Sequence, residues 1–181
     1  MIVLDNLSTG NRANIEQLLT HPNFKLIEGS IPDTNLLDQE IGLVDHVLHL
    51  AAAVGVFNII DKPLGSLITN LRGTENILET TSKHNKEVLL ASSSAIYGKN
   101  SSGPLNEESD LIVGSRLKRR WSYSEAKAID ESTAIFYHLE RGLVVRIVRL
   151  FNTVGPRQVG HYGMVVPRFV AAALKNEPLT V

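Results

Sequence analysis

At 181 residues, with 43% hydrophobic and 20% charged side chains, the chain has the material for one soluble domain with a sizeable core. Its formal net charge of −1 excludes the strong field that draws nucleic acid or an acidic membrane surface, so neither is expected as a partner. The absence of cysteine excludes disulfides, thiolate metal sites and a cysteine nucleophile, and it suits a reducing, cytoplasmic location.

In chain order, residues 2–5 (IVLD) read as a buried strand, ended by the turn formers of NLSTG. The opening MIVLDNLSTG has no basic region followed by an apolar core, so no secretory leader is expected. Residues 12–19 suit a helix, 24–28 a strand, 35–41 a short helix and 44–50 a strand. The nearly apolar run 47–60 contains His49 and Asn58 and is too short and mixed to cross a bilayer. Residues 64–84 predict a long helix with apolar positions at Leu67, Ile68, Leu71, Ile77 and Leu78. A strand at 87–92, a helix at 123–140, a strand at 143–150 and a helix at 164–175 complete the series. Strands with little alternation, separated by helices, predict an α/β fold: a doubly wound parallel sheet covered on both faces. The one long irregular connection is 99–120, KNSSGPLNEESDLIVGSRLKRR. Its basic cluster, Arg116, Lys118, Arg119 and Arg120, reads as a solvated loop before a helix.

Four sites fall at predicted strand ends, where doubly wound sheets bind ligands. Asp5 suits a ribose diol, or equally a turn cap in DNLSTG. Leu50 and the alanines 51–53 leave room for a flat ligand, or simply pack closely. The serines of ASSSAIYG offer hydroxyls to a substrate oxygen, or are ordinary turn formers. Tyr123 and Lys127 lie four residues apart, about 6 Å along a helix and on nearly one face. They are two surface neighbours or an acid/base couple; in the second case the ammonium is expected to lower the phenol from its usual value near 10.

Together the motifs VLDNLSTG, HLAAAVGV, TNLRGTENILE, LLASSSAIYGK, RRWSYSEAKAIDE, VVRIVRLFNTVGPRQ and YGMVVPRFVAAAL run over nearly the whole chain. In them the chain resembles the extended short-chain dehydrogenase/reductases, in particular the NAD-dependent nucleotide-sugar epimerases and dehydratases. The resemblance implies a Rossmann-like fold, NAD as cofactor, a nucleotide-sugar substrate, a homodimer and no metal. It makes Ser93, Tyr123 and Lys127 catalytic, with Lys127 and Tyr123 also against the nicotinamide ribose. It puts Asp5, Asn6, Ser8, Thr9 and Gly10 around the adenosine ribose, Ser30 and Ile31 near adenine, and Leu50, Ala51, Ala52 and Ala53 along the cofactor, supported by Asn70. It gives Ser94, Asn152, Arg157 and Arg168 to the substrate side.

Departures from the family pattern shape the expectation. No G-x-G-x-x-G or G-x-x-G-x-x-G occurs, so the first strand and its pyrophosphate turn are absent, as is most of the C-terminal substrate domain. Residues 1–151 then form a partial NAD-binding domain and 152–181 the start of the substrate-binding region. Ala95 stands where dehydratases and decarboxylases of the family commonly carry an acid, and Ser30 where many relatives have an acidic contact to adenine. The expected reaction is therefore 4-epimerisation of a UDP-hexose or UDP-hexuronate through a 4-keto intermediate. The alternatives are a dehydratase or decarboxylase of the same family, and a non-catalytic remnant.

Overall fold

The computed structural model describes residues 1–53, 60–158, 160 and 164–179. Within them the apolar, β-branched runs form five strands: β1 (Ile2–Asp5), β2 (Lys25–Glu28), β3 (His46–His49), β4 (Glu87–Ser93) and β5 (Val144–Leu150). Four α-helices alternate with them: α1 (Thr34–Ile41), α2 (Pro63–Lys83), α3 (Ser122–Arg141) and α4 (Val165–Leu174). The helix expected at 12–19 is a 3-10 helix, Arg12–Leu18, with none of its residues buried. An element that buries no apolar face lacks the packing that holds longer α-helices together. The end of the HLAAAVGV motif and the final TV lie outside the described residues. No helix among the described residues is long and apolar enough to cross a membrane.

The helix ends follow their capping residues. Asp33 accepts the Leu36 N–H at 3.0 Å and starts α1. Pro63 opens α2, where its missing N–H costs nothing. Gly142, at φ 72°, closes α3 and donates to the His138 carbonyl at 2.9 Å.

Among the described residues all strand pairings are parallel, in two sheets: β1–β2, and β3–β4–β5. In register, Asp5 stands beside Glu28, His49 beside Leu90, and Ser93 beside Leu150. The class is α/β as expected, but the single sheet is divided. The division falls between β1 and β3, the position that the resemblance assigns to the absent first strand. Leu48 and Leu50, at and just past the end of β3, are 64% and 62% exposed. The two sheets nevertheless share one core. Leu37, Ile41, Ile77, Leu78, Val88, Leu90, Ala134 and Leu143 are buried, and Leu4 of β1 and Val47 of β3 both pack against them. Helices α1, α2 and α3 lie side by side, and α2 and α3 both touch β4. Along β4, Val88, Leu90 and Ser92 are fully buried while the alternate residues are half-buried, so one face is covered more deeply than the other.

Candidate active site

Strand β4 ends at Ser93, and a 3-10 turn, Ser94–Tyr97, follows at once. The Ser93 hydroxyl caps that turn by accepting the Ala95 N–H at 3.2 Å, which fixes its direction. The turn closes at Gly98, at φ 61°, where a Cβ would lie 2.3 Å from the Ile112 carbonyl oxygen, so only glycine fits. Tyr97 is buried beneath the turn. Its hydroxyl donates to the Asn106 carbonyl at 2.9 Å and accepts from Arg149 at 3.0 Å. Arg149, on β5, also grips both carboxylate oxygens of Glu131 on α3, at 2.8 to 3.3 Å. One guanidinium thus locks β5, α3 and the serine turn together.

On that scaffold α3 presents Tyr123 in its first turn and Lys127 in the next. The half-buried Tyr123 hydroxyl is within hydrogen-bonding reach of the Ser93 side chain. Lys127 is 2% exposed and faces Asp130, 1% exposed, with Nζ and Oδ2 3.3 Å apart. Oδ2 makes no well-aligned hydrogen bond, so the contact is ionic. Behind the pair, Thr74 of α2 is within hydrogen-bonding reach of Asp130 and 3.2 Å from Nε2 of the buried His49.

The electrostatics correct one expectation. The Tyr123 phenol lies above its ordinary value of 10.0, not below it. Burial is the main cause, opposed by the Ser93 hydrogen bond and reinforced by the Asp130 carboxylate. Lys127 is not among the groups that move it. Burial also raises the Asp130 carboxyl, against the pull of Lys127 and Thr74. Burial, and then the Lys127 charge, push His49 down from 6.5 to about 4, so its ring is neutral at neutral pH.

The residues given to a cofactor fall at strand ends. Asp5 is exposed at the end of β1, and its Oδ1 accepts the Leu7 N–H at 2.6 Å. Asn6 accepts the Ser8 N–H at 3.1 Å, so the loop that carries Ser8, Thr9 and Gly10 curls back over the strand end. A Cβ on Gly10 would lie 3.6 Å from Asp5 Oδ1, which places Gly10 against that carboxylate. Ser30 and Ile31 follow β2, half-buried, and the Ile31 carbonyl is held by Asn76 of α2 at 3.1 Å. Leu50 and Ala51 are exposed after β3, and Ala52 and Ala53 half-buried. Buried Asn70 clamps both backbone groups of Ala53, at 2.7 and 3.3 Å.

The substrate-side residues are not gathered in one place. Ser94 sits next to Ser93, half-buried. Asn152 is exposed beyond β5. Arg157 donates to the Asn14 carbonyl at 2.8 Å and lines an open cleft of about 610 Å³ with Ile15, Leu18 and Val154. Arg168 lines a separate one of about 390 Å³ on α4. Neither cleft is lined by Ser93, Tyr123 or Lys127. The basic cluster is a surface feature: Arg119 donates to the Ile60 carbonyl, Arg116 pairs with Glu125, and Arg120 lies over the Trp121 ring. Among the described residues no group of acidic or histidine side chains could hold a metal.

Asp130, Thr74 and His49 escaped the sequence reading. The spacing of three between Lys127 and Asp130 was the available signal for the first, since such residues share a helix face.

The model of the GDP-mannose 4,6 dehydratase family matches residues 1–181. The chain belongs to this family. It is an extended short-chain dehydrogenase/reductase of the nucleotide-sugar epimerase and dehydratase group. A UDP-N-acetyl-alpha-D-glucosaminuronate decarboxylase from Bacillus cytotoxicus is 39% identical over 180 residues, 99% of this chain and 55% of that protein. A dTDP-glucose 4,6-dehydratase from Streptomyces venezuelae, solved with NAD and TYD bound, superposes with a TM-score of 0.88 at 33% identity, over 98% of this chain and 53% of that one. A UDP-N-acetylglucosamine 4-epimerase from Methanobrevibacter ruminantium M1, in complex with UDP-N-acetylmuramic acid, gives 0.85 at 31%, over 97% and 55%. The chain thus spans about half the length of the curated relatives and solved structures it matches.

Proposed function

We propose that the whole protein oxidises and re-reduces C4 of a nucleotide sugar with NAD, and that the net reaction is 4-epimerisation. The supporting observation is that the Tyr123 hydroxyl comes within hydrogen-bonding reach of Ser93 at the carboxyl end of β4. A sugar hydroxyl placed between the two groups gives its proton to the ionised form of Tyr123, a minor form in the resting protein because burial favours the phenol, while Ser93 hydrogen-bonds the same oxygen. Lys127 follows one turn along α3, where it is positioned to hold the ribose of a bound nicotinamide nucleotide. The strand ends suit NAD. Asp5 offers two acceptor oxygens to a ribose diol and repels a 2′-phosphate, and the alanines after β3 leave a shelf that Asn70 holds rigid. When bound, NAD supplies the hydride acceptor and donor that no side chain here provides. In this reading residues 152–181 begin the sugar-nucleotide side. The exposed Ile129, Phe136 and Leu139 of α3, with Leu64 and Ile68 of α2, supply a homodimer contact.

Ala95 in the serine turn argues against 4,6-dehydration, which needs an acid for the departing hydroxyl. Decarboxylation is the second reading, favoured by the 39% identical decarboxylase. A ketone at C4 of a hexuronate leaves the C6 carboxylate β to a carbonyl; carbon dioxide is then lost, and the resulting enolate takes a proton at C5 from water, since Ala95 supplies no acid there. Incubation with NAD and either UDP-N-acetylglucosamine or its uronate, followed by NMR, separates the readings. A 4-epimer supports the first, and release of carbon dioxide with a UDP-pentose the second. No change in either sugar counts against both.

A further inference from the structure

The pair Lys127–Asp130 is more than the proposed reaction requires. Both side chains are nearly inaccessible, at 3% and 1%. A buried ammonium is costly unless an anion accompanies it, and so is a buried carboxylate. Each partner therefore fixes the other. Asp130 is anchored from a second direction by Thr74 on α2, which in turn rests against the neutral His49 ring on β3. Elements α3 and α2 thus meet at one carboxylate, with β3 behind them through Thr74, and that carboxylate holds the charged side chain one turn after Tyr123 on the same helix.

From this geometry we infer that Asp130 is a positioning residue for the Tyr123–Lys127 couple: it anchors the lysine and offsets its charge, and so sets the proton affinity of the phenol. The inference rests on Tyr123 being the acid/base group of the proposed reaction. A reaction that oxidises and then reduces the same carbon needs a phenol that both takes and returns a proton. A lone ammonium in a dry site favours phenolate strongly, while a compensated one leaves the proton more firmly on the phenol. Among the described residues, four other elements or positions present groups to this cluster: His49 from β3, the Ser93 hydroxyl from β4, the Thr74 hydroxyl from α2, and, on α3 itself, Glu131, which Arg149 of β5 neutralises. The sign of the charge effect is consistent throughout: the Asp130 carboxylate raises the phenol.

Asp130 follows Tyr123 by seven positions, about 10 Å along the helix axis, and at that separation one charge in a protein interior moves a titration by about one pH unit. The test is ¹⁹F NMR of the full chain labelled with 3-fluorotyrosine. Fluorination lowers phenol acidity constants into a pH range the fold withstands, and only four tyrosines contribute, with Tyr123→Phe assigning the line. Asp130→Asn is expected to lower the Tyr123 step by about one unit, Lys127→Met to raise it, and the double variant to restore it nearly to the parent. If Asp130→Asn alone does not fold, the comparison of Lys127→Met with the double variant, which leaves no unpaired charge, reads the same shift. A Tyr123 step that ignores the loss of Asp130 in both backgrounds overturns the inference, even if Asp130→Asn lowers the melting temperature. Where a nucleotide sugar is turned over, the acid limb of kcat/KM should move down with the NMR step. Where none is, the proposed reaction fails while the NMR result still decides the role of Asp130.

Discussion

His49 should make the protein lose stability as the pH falls from about 6.5 to about 4. In the folded chain its ring is buried beside Thr74 and feels the Lys127 ammonium, so protonation is resisted; in the unfolded chain it titrates at its ordinary 6.5. The unfolded state therefore binds more protons across this window, and stability rises with pH there. Above 6.5 the contribution is complete. The depression to about 4 corresponds to a loss of about 3 kcal/mol by its lower end. The assay is urea unfolding from pH 7.5 to pH 4.5, on the parent and on His49→Gln, whose amide keeps a partner for Thr74. Carboxylates titrate in both proteins, so the difference between the two curves isolates the imidazole. The parent should fall more steeply than the variant below pH 6.5. Equal slopes would refute the reasoning.

Other expectations follow from the same scaffold. Glu131→Gln leaves Arg149 charged and nearly buried and should cost about 3 kcal/mol, part of which Arg149→Met in the same chain restores, as read by denaturant midpoints. Gly98→Ala forces a side chain against the Ile112 carbonyl at positive φ and should cost about 3 kcal/mol by the same measurement. Phe136→Glu with Leu139→Glu should shift the protein from dimer to monomer in light scattering, since both side chains are more than half exposed on α3.

Much of the fold was legible because each element announces itself locally. Apolar runs such as VVRIVRL and VLLASS became β5 and β4, and the capping residues Asp33, Pro63 and Gly142 set helix ends close to the predicted ones. Ser93 and Tyr123 were paired by the family resemblance, since strand-end serines and a tyrosine four residues before a lysine each have ordinary structural readings on their own. What escaped was what depends on three dimensions. Asp130 looks like one more charge on an amphipathic helix until packing shows it buried, and burial of the Tyr123 phenol, reinforced by Asp130, reverses the expected direction of that shift. His49 reads as an interruption in an apolar run, whereas the fold gives it Thr74. Arg157 and Arg168 stand in separate clefts, away from the serine turn, and no local signal in the sequence distinguishes those places.

The most direct trial of the central claim is absorbance at 340 nm after NAD and a nucleotide sugar are mixed with the parent protein and with Tyr123→Phe. The parent should show a transient rise from reduced cofactor, and the variant should slow it by roughly 100-fold or more. An equal rise in both proteins would contradict the role assigned to the phenol.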